Sequence, residues 1–289
     1  MNSLIIFSDN LSVLKTMPDN YINLIYIDPP FNTGKVQRKI TLQTTEDLNG
    51  NRIGYQDKRY QSIKINETQY TDIFNDYLGF LKPRLEESKR ILKSNGSLFF
   101  HIDCRESHYC KILLDSIFGR ESFINEIIWA YDYGARSKKK WSTKHDTIFW
   151  YAKNPKDYTF NYNQIDRIPY MAPNLVGEEK AKNGKTPTTV WWNTIVPTNS
   201  KEKTGYVTQK PLKIIERIVK VHSNENDILL DFFAGSGTFG MAAGKNNRSF
   251  ILIDNNKQAI DIMRQRLFAF DPLIIENGID TINELCLLK

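Results

Sequence analysis

The chain alternates short apolar runs with amphipathic stretches, and turn residues bound the apolar runs. Short apolar runs between turns are typical of buried strands, whereas apolar positions spaced three or four apart predict helices with one buried face. Strands are predicted at residues 4–7, 23–27, 97–102, 126–131, 228–231 and 250–253. Helices are predicted at about residues 71–92, 105–118, 211–222, 238–245 and 257–268. This order of elements predicts an α/β fold built on a parallel sheet.

Two segments interrupt the alternation. Residues 34–69 are polar and contain an Asn-Gly-Asn turn signal, so we expect a mobile loop or a hairpin there. Residues 132–207 are rich in Pro, Asn, Tyr and Lys, with short strand-like pieces at 147–152 and 188–196. Their composition predicts an insertion or a small subdomain.

A glycine-rich turn follows the strand predicted at residues 228–231. It reads Asp231-Phe232-Phe233-Ala234-Gly235-Ser236-Gly237-Thr238 and leads into a predicted helix. Glycines let backbone N–H groups and a helix N-terminus approach a ligand closely, and an acid ending the next strand can accept hydrogen bonds from ribose hydroxyls. Asp254, 19 residues beyond Gly235, is such an acid. The pattern predicts a nucleotide-binding turn.

Gly235, Gly237 and Gly240 also satisfy the GxGxxG pattern, so an NAD-dependent dehydrogenase is an alternative interpretation. A P-loop is excluded because no Lys-Ser or Lys-Thr follows a GxxxxG. Only 49 of the 289 residues follow Gly240, too few to build the rest of a doubly wound sheet. Strands from the N-terminal half must complete it. A circularly permuted nucleotide-binding fold is therefore favoured over an ordinary dehydrogenase.

The most informative turn is Asp28-Pro29-Pro30-Phe31, which directly follows a predicted buried strand. The two prolines fix φ and contribute no N–H donors, so the turn is stiff and offers only acceptors. Asp28 and the Pro29 carbonyl are placed to receive both hydrogens of an exocyclic amine, while the Phe31 ring stacks on the attached base. Two such acceptors favour sp³ character at the nitrogen and direct its lone pair at an electrophile.

The composition argues against several kinds of site and segment. Hydrophobic residues make up 40% of the chain and charged residues 25%, as in globular proteins. The three cysteines, Cys104, Cys110 and Cys286, show no CxxC spacing and follow no proline, so a zinc site and a cytosine-C5 thiolate nucleophile are not indicated, and we expect buried apolar roles. The N-terminus has no basic leader, and no apolar run is long enough to span a membrane.

The net charge of +6 is concentrated in two segments. Residues 134–145 carry five cations and no acid beside Tyr131, Tyr133 and Trp141. These cations are Arg136, Lys138, Lys139, Lys140 and Lys144. Residues 35–64 carry a further +4. Cations interleaved with aromatic rings suit phosphate contacts and base stacking, so we expect the first segment to bind DNA.

These motifs together resemble a known family. Asp28-Pro29-Pro30-Phe31 is similar to the catalytic tetrapeptide of amino-methylating DNA methyltransferases, and the turn at residues 231–238 resembles their S-adenosylmethionine loop. The catalytic motif precedes the cofactor loop, as in the β class. The resemblance continues at residues 8–10, 96–103 and 208–212 and spans essentially the whole chain.

The resemblance implies S-adenosyl-L-methionine as the cofactor. Asp9 and Asn10 would contact its adenine, Asp254 its ribose, and the glycine-rich turn its methionine end. The cofactor-binding residues implied in this way are Asp9, Asn10, Lys210, Pro211, Asp231, Phe232, Ala234, Gly235, Gly237, Thr238 and Asp254. The catalytic residues implied are Asp28, Pro29, Pro30 and Phe31.

The fold implied is a circularly permuted Rossmann-like methyltransferase sheet. Residues 1–131, with the loop 34–69, would form the catalytic half, residues 132–207 the target-recognition insertion, and residues 208–289 the cofactor-binding half. The reaction implied is methylation of N6 of a flipped adenine at a specific site in duplex DNA, because Asp28 stands where serine is frequent in cytosine-N4 enzymes. Cytosine-N4 and RNA methylation remain alternatives.

The expected partner is duplex DNA, and the expected location is the bacterial cytoplasm or nucleoid. The resemblance also allows a homodimer and a cognate restriction endonuclease. The sequence carries no independent signal for either of these two partners.

Overall fold

The computed structural model describes residues 3–47, 49–53, 58–197, 199–206 and 208–276. Cys286, for which a buried role is expected, lies outside these ranges. The chain forms two compact units. One consists of Met1–Pro29 together with Leu78–Lys289, and the other is Pro30–Tyr77.

Twelve strands lie within the described residues. They are β1 (Leu4–Phe7), β2 (Ile22–Ile27), β3 (Lys35–Glu46), β4 (Arg52–Ile53), β5 (Arg59–Asp72), β6 (Leu92–Ile102), β7 (Phe123–Ala130), β8 (His145–Ala152), β9 (Val190–Trp192), β10 (Ile228–Asp231), β11 (Ser249–Asp254) and β12 (Leu273–Ile275). Nine of them form one sheet in the order β12-β1-β11-β10-β2-β6-β8-β7-β9. Its neighbouring strands are parallel except for β8, which is antiparallel to both β6 and β7.

The described helices are α1 (Asn10–Thr16), α2 (Tyr77–Ile91), α3 (Ser107–Phe118), α4 (Glu178–Asn183), α5 (Leu212–His222), α6 (Thr238–Lys245) and α7 (Lys257–Arg266). Helices α5, α6 and α7 contribute buried side chains to the same apolar core as β2, β10 and β11. This parallel sheet with buried strands and packed helices is an α/β Rossmann-like architecture.

The C-terminal ends of six strands lie at the same edge of the nine-stranded sheet. Because β1, β2, β6, β7, β10 and β11 run in one direction, their C-terminal ends meet at one edge of the sheet, which we call the carboxyl edge. Asp28, Asp231 and Asp254 end or directly follow strands at this edge, and Asp9 lies two positions after β1. Ligands of open α/β sheets bind outside the carboxyl ends of the strands.

Most predicted elements are present with shifted ends, and one predicted boundary was clearly wrong. The predicted helix at residues 71–92 begins only at Tyr77, because β5 stays paired with β3 as far as Asp72. Pro83 lies inside α2, which is continuous to Ile91. The strand-like pieces near 147–152 and 188–196 are β8 and β9, and both belong to the nine-stranded sheet.

The polar segment after Gly34, for which a loop or a hairpin was expected, forms a hairpin. Strands β3 and β5 pair antiparallel from Lys35↔Asp72 to Glu46↔Tyr60, and β4 adds a short third strand. This sheet belongs to the second unit. In the described part of the chain, no helix combines the length and the apolar character needed to cross a membrane.

Candidate active site

Asp28 and Pro29 follow β2 directly at the carboxyl edge. One carboxylate oxygen of Asp28, Oδ2, forms an ion pair with Nζ of Lys210, and the two side chains are only 15% and 12% exposed. The other oxygen, Oδ1, is buried and has no hydrogen-bond partner among the described residues. A buried carboxylate oxygen without a partner is costly, so its presence at a strand end points to a group that it binds during function.

Asp231 ends β10, the strand next to β2. Its carboxylate is buried and accepts a hydrogen bond from the backbone N–H of Phe233 (2.9 Å). Burial raises the pKa of Asp231 well above its ordinary value, and the negative charges of Asp28 and Asp254 raise it further against the opposing effect of Lys210. Three acidic side chains and one ammonium group therefore lie at this edge, and a cationic ligand bound there would favour the ionised form of Asp231.

Asp254 holds the glycine-rich turn in place. Its Oδ2 accepts from the N–H of Gly235 (2.8 Å), and its Oδ1 accepts from the N–H of Asn256 (2.9 Å). Burial raises the pKa of Asp254, although these backbone donors oppose the shift. The predicted ribose contact of Asp254 is compatible with this arrangement, since each carboxylate oxygen can accept a second hydrogen bond.

The turn itself requires glycine at two positions. Gly235 and Gly237 have φ of +49° and +71°, which other residues rarely adopt. A Cβ on Gly235 would approach Tyr206 to 2.9 Å, and one on Gly237 would approach Met263 to 2.8 Å. The neighbouring side chains can therefore pack closely against the turn only because Gly235 and Gly237 have no side chains.

Some predicted cofactor residues have side chains that are already engaged. Nη1 of Arg266 donates to the Thr238 hydroxyl (2.8 Å) and to the Ser236 carbonyl (3.0 Å). Phe232 is fully buried, and its carbonyl accepts from Nδ2 of Asn10 (2.7 Å). The Thr238 hydroxyl and the Phe232 carbonyl therefore brace the turn, and Arg266 is a supporting residue that the sequence reasoning missed.

A second missed residue, Arg84 of α2, organises the predicted adenine contacts. Its Nε donates to Oδ1 of Asn10 (2.7 Å), and its Nη2 pairs with Oδ1 of Asp9 (3.2 Å). Asp9 also caps α1 by accepting from the N–H of Ser12 (2.9 Å). Nothing in the sequence marks Arg84, because a single arginine on an amphipathic helix carries no motif.

The segment before α5 is braced so that Lys210 reaches the site. The Gln209 side chain accepts from the N–H of Thr204 (2.8 Å) and donates to the Glu202 carbonyl (2.7 Å). The Glu202 carboxylate accepts from the N–H of Leu212 at the first turn of α5 (2.7 Å). Pro211 stands at the cap of this helix, where its missing N–H costs nothing.

A buried polar chain lies in the sheet beside the site. The Tyr26 hydroxyl contacts Nδ1 of His101 (2.7 Å), Nε2 of His101 contacts Oδ2 of Asp146 (3.1 Å), and the Tyr131 hydroxyl donates to Oδ1 of Asp146 (3.1 Å). Burial raises the pKa of Tyr26 well above its ordinary value, and the charge of Asp28 adds to the shift. Sequence reasoning missed this chain because its members come from four separate strands or strand ends.

We predict that Asp146→Asn lowers the free energy of unfolding by about 1–3 kcal/mol at neutral pH. Burial alone would raise the pKa of Asp146, but the hydrogen bond and charge of His101, with Lys210 and Tyr131, lower it below the usual 3.8. The stabilisation is therefore complete above pH 3.8 and is lost as the pH falls below it. Denaturant unfolding of both proteins between pH 7 and pH 3 should show a constant difference that shrinks at the acid end. A difference that grows in acid would contradict this assignment.

The predicted catalytic tetrapeptide crosses the boundary between the units, since Pro30 and Phe31 belong to the second. Within that unit, the Asp72 carboxylate accepts from the N–H groups of Asn32 (2.8 Å) and Thr33 (3.1 Å). The Tyr77 hydroxyl donates to the Pro30 carbonyl (2.5 Å). The turn after the motif is thus held by Asp72 and Tyr77, neither of which the sequence singled out.

The predicted DNA-binding cations lie in the segment that joins β7 to β8, residues 131–144, which we call the basic loop. Arg136 forms two hydrogen bonds to Asp132 (3.0 and 2.8 Å), and the Lys144 ammonium donates to the Tyr133 carbonyl. The side chains of Lys138, Lys139 and Lys140 are exposed and have no ion-pair partner in the described ranges. Two of the five cations therefore shape the loop, and three face solvent.

The prediction that the cysteines are buried is confirmed for one of the two described residues. Cys110 is buried, and burial raises the pKa of its thiol to about 12. Cys104 is exposed, so the expected buried role was wrong for this residue. It follows β6 by two positions at the carboxyl edge, where the chain leaves the sheet.

Known proteins resemble this chain over most of its length. The model of the N6/N4 DNA methylase family matches residues 22–265. The chain is 33% identical over 284 residues to the type II methyltransferase M.HpaI of Haemophilus parainfluenzae, covering 98% of this chain and 78% of that protein. It is 29% identical over 276 residues to the DNA adenine methyltransferase YhdJ of Escherichia coli (strain K12), covering 91% and 82%.

Solved structures share the fold at lower identity. The cytosine-N4-specific PvuII DNA methyltransferase superimposes with a TM-score of 0.63 at 14% identity, covering 99% of this chain and 92% of that one. M1.HpyAVI, solved as a complex with SAM, gives 0.58 at 20% identity, covering 91% and 98%. Since the family model spans most of the chain, from β2 to α7, the protein belongs to the N6/N4 DNA methylase family.

Proposed function

We propose that this DNA methylase transfers a methyl group from S-adenosylmethionine to N6 of a flipped adenine within a specific sequence of duplex DNA. The observation that carries the proposal is the buried Oδ1 of Asp28, which has no partner among the described residues and stands at the carboxyl edge beside the glycine-rich turn. An amine hydrogen of the target base would satisfy this oxygen.

The residues at the edge fit the proposed cofactor. S-adenosylmethionine, when bound, supplies a methyl group on a positively charged sulfur that is open to direct displacement. Asp28, Asp231 and Asp254 place three acidic groups beside the single ammonium of Lys210, and a cation bound there would favour the ionised form of Asp231. The likeness to M1.HpyAVI, whose structure holds SAM, also supports this choice.

Asp28 acts on the amine by accepting one of its hydrogens, and the Pro29 carbonyl accepts the other. Together the two acceptors orient the nitrogen lone pair toward the methyl group, so the contribution of the protein is orientation rather than covalent catalysis. Lys210 holds Oδ2 of Asp28, which leaves Oδ1 directed at the amine. Stacking of the base on Phe31 stays the prediction made from the sequence.

Two observations support adenine as the target. The tetrapeptide begins with Asp28, whereas the similar motif of cytosine-N4 enzymes frequently begins with serine, and the relative YhdJ is described as an adenine methyltransferase. Cytosine N4 is the competing target, because the PvuII enzyme shares the fold. The same acceptor pair can bind either exocyclic amine, so the test must identify the base.

The proposal is tested by expressing the protein in a host that lacks DNA methylation and sequencing the genomic DNA by a modification-sensitive method. We expect N6-methyladenine at one recurring sequence. N4-methylcytosine would replace the proposed base while keeping the reaction, and unmodified DNA from a host that contains folded protein would overturn the proposal.

The exposed lysines of the basic loop yield a separate prediction on DNA binding. Replacing Lys138, Lys139 and Lys140 together by alanine should lower the magnitude of the slope of log K against log salt by up to about 3, because each phosphate contact releases about one counterion. Lys15→Ala is the control, since α1 carries this residue away from the carboxyl edge. An unchanged slope in the triple variant would remove the basic loop from the DNA interface.

A further inference from the structure

The basic loop leaves the sheet at the same edge as the catalytic aspartate. Strand β7 runs in the same direction as β6 and β2, because β8 lies antiparallel to both β6 and β7. The loop begins after Ala130, at the carboxyl edge, and returns there as β8 starts at His145. A molecule bound across this edge at Asp28 therefore also passes the loop.

The tip of the loop is a turn held by its own side chains. The Ser137 hydroxyl oxygen accepts from the backbone N–H of Lys139 (3.1 Å) and of Lys140 (3.3 Å), and the Ser142 hydroxyl oxygen accepts from the N–H of Ser137 (2.7 Å). Below the tip, Arg136 and Lys144 brace the loop through Asp132 and the Tyr133 carbonyl. Among the described residues, the hydrogen bonds that form this tip come from the loop itself, and Cys104 contacts the loop at Thr143 (3.9 Å).

Trp141 stands on this turn with its side chain almost entirely in solvent. It is 97% exposed, more than any other large hydrophobic residue in the described ranges. No hydrogen bond or ring contact to Trp141 occurs among those residues. A large apolar ring that is exposed to solvent does not stabilise the folded chain. Its exposure therefore indicates that it contacts a partner.

The charge around the ring identifies the chemistry of that partner. Lys138, Lys139 and Lys140 precede Trp141 directly, and no acid lies between residues 133 and 145. An apolar protein surface would desolvate three ammonium groups without compensation. A nucleic acid offers phosphates for the lysines and stacked bases for the indole within the same short span.

We propose that Trp141 inserts into the DNA duplex and occupies the space that the target base leaves when it flips out. This inference rests on the proposed function, because only an enzyme that extrudes its target opens such a space. Opening the base pair sacrifices stacking, and the indole replaces part of it on the neighbouring bases. The three lysines hold the loop against the phosphates of the DNA backbone while the indole ring enters the duplex.

The test compares variants on two substrates that carry the recognition sequence found by sequencing. In one duplex the target base is paired, and in the other it faces an abasic position, so that no base pair has to be opened and flipping costs less. Trp141→Ala should lower kcat/KM about tenfold to a hundredfold on the paired duplex. Most of this loss should disappear on the abasic duplex, and Trp141→Phe should retain most of the wild-type rate on both.

Phe268→Ala is the matched control. This residue is 81% exposed and follows α7, away from the carboxyl edge, so its replacement should change neither rate. An equal loss for Trp141→Ala on both duplexes, or no loss on the paired one, would overturn the wedge role while leaving methyl transfer established. Absence of methylation by the wild-type protein on either duplex would instead overturn the proposed function.

Discussion

Replacing Asp28 by alanine is expected to lower kcat for methyl transfer by about a thousandfold or more, measured at a cofactor concentration that saturates the variant. The substitution removes the buried Oδ1 that accepts the amine hydrogen, so the lone pair is no longer directed at the methyl group. Single-turnover incorporation of labelled methyl groups measures the effect, and calorimetric binding of the cofactor shows that the site remains intact.

Asp28→Asn separates the two roles of the carboxylate. Asparagine keeps one acceptor oxygen but loses the charge that pairs with Lys210, so an intermediate rate is expected. A rate for the alanine variant close to that of the wild type would show that Asp28 does not direct the amine.

The second large effect is expected for Asp231→Asn. This substitution should weaken cofactor binding by at least about tenfold and raise the melting temperature by a few degrees. The binding loss follows from removing one of three carboxylates that favour a cation. The gain in stability follows because burial and neighbouring acids make the ionised form of Asp231 unfavourable in the folded protein. The hydrogen bond from Phe233 is kept, since asparagine also has an acceptor oxygen.

The pH dependence checks this explanation of the Asp231 effect. The pKa of Asp231 is raised on folding, so the folded state binds a proton that the unfolded state releases above 3.8. Stability of the wild type therefore falls as the pH rises from 3.8 through the folded pKa. The stability advantage of Asp231→Asn should grow over the same range. Asp261→Asn, an exposed acid on α7, serves as the control.

The central strands were predictable because each buried run is contiguous in sequence. Residues 4–7 and 228–231 form strands with the predicted ends, since turn residues bound both runs. The place of β8 was not predictable from periodicity. A fully apolar strand reads alike in an inserted subdomain and in a central sheet, and only its pairing with β6 decides between them.

The site divides in the same way. Asp28, Asp231 and Asp254 were found because each ends or directly follows a strand within a local motif. The residues that position them, Arg84 and His101 among them, act through side-chain contacts between elements distant in sequence. Such contacts produce no recognisable spacing of residues in a single sequence. The motifs therefore predicted the reacting groups but not the residues that position them.

The most direct test is the chemical identity of the methylated product. Purified protein is incubated with labelled S-adenosylmethionine and duplex DNA, the DNA is digested to nucleosides, and the label is located by chromatography and mass spectrometry. The account predicts label in N6-methyl-2′-deoxyadenosine for the wild type and none for Asp28→Ala. Label in a C5-methylated cytosine, or equal N6 labelling by the Asp28→Ala variant, would contradict direct attack by an amine held at Asp28.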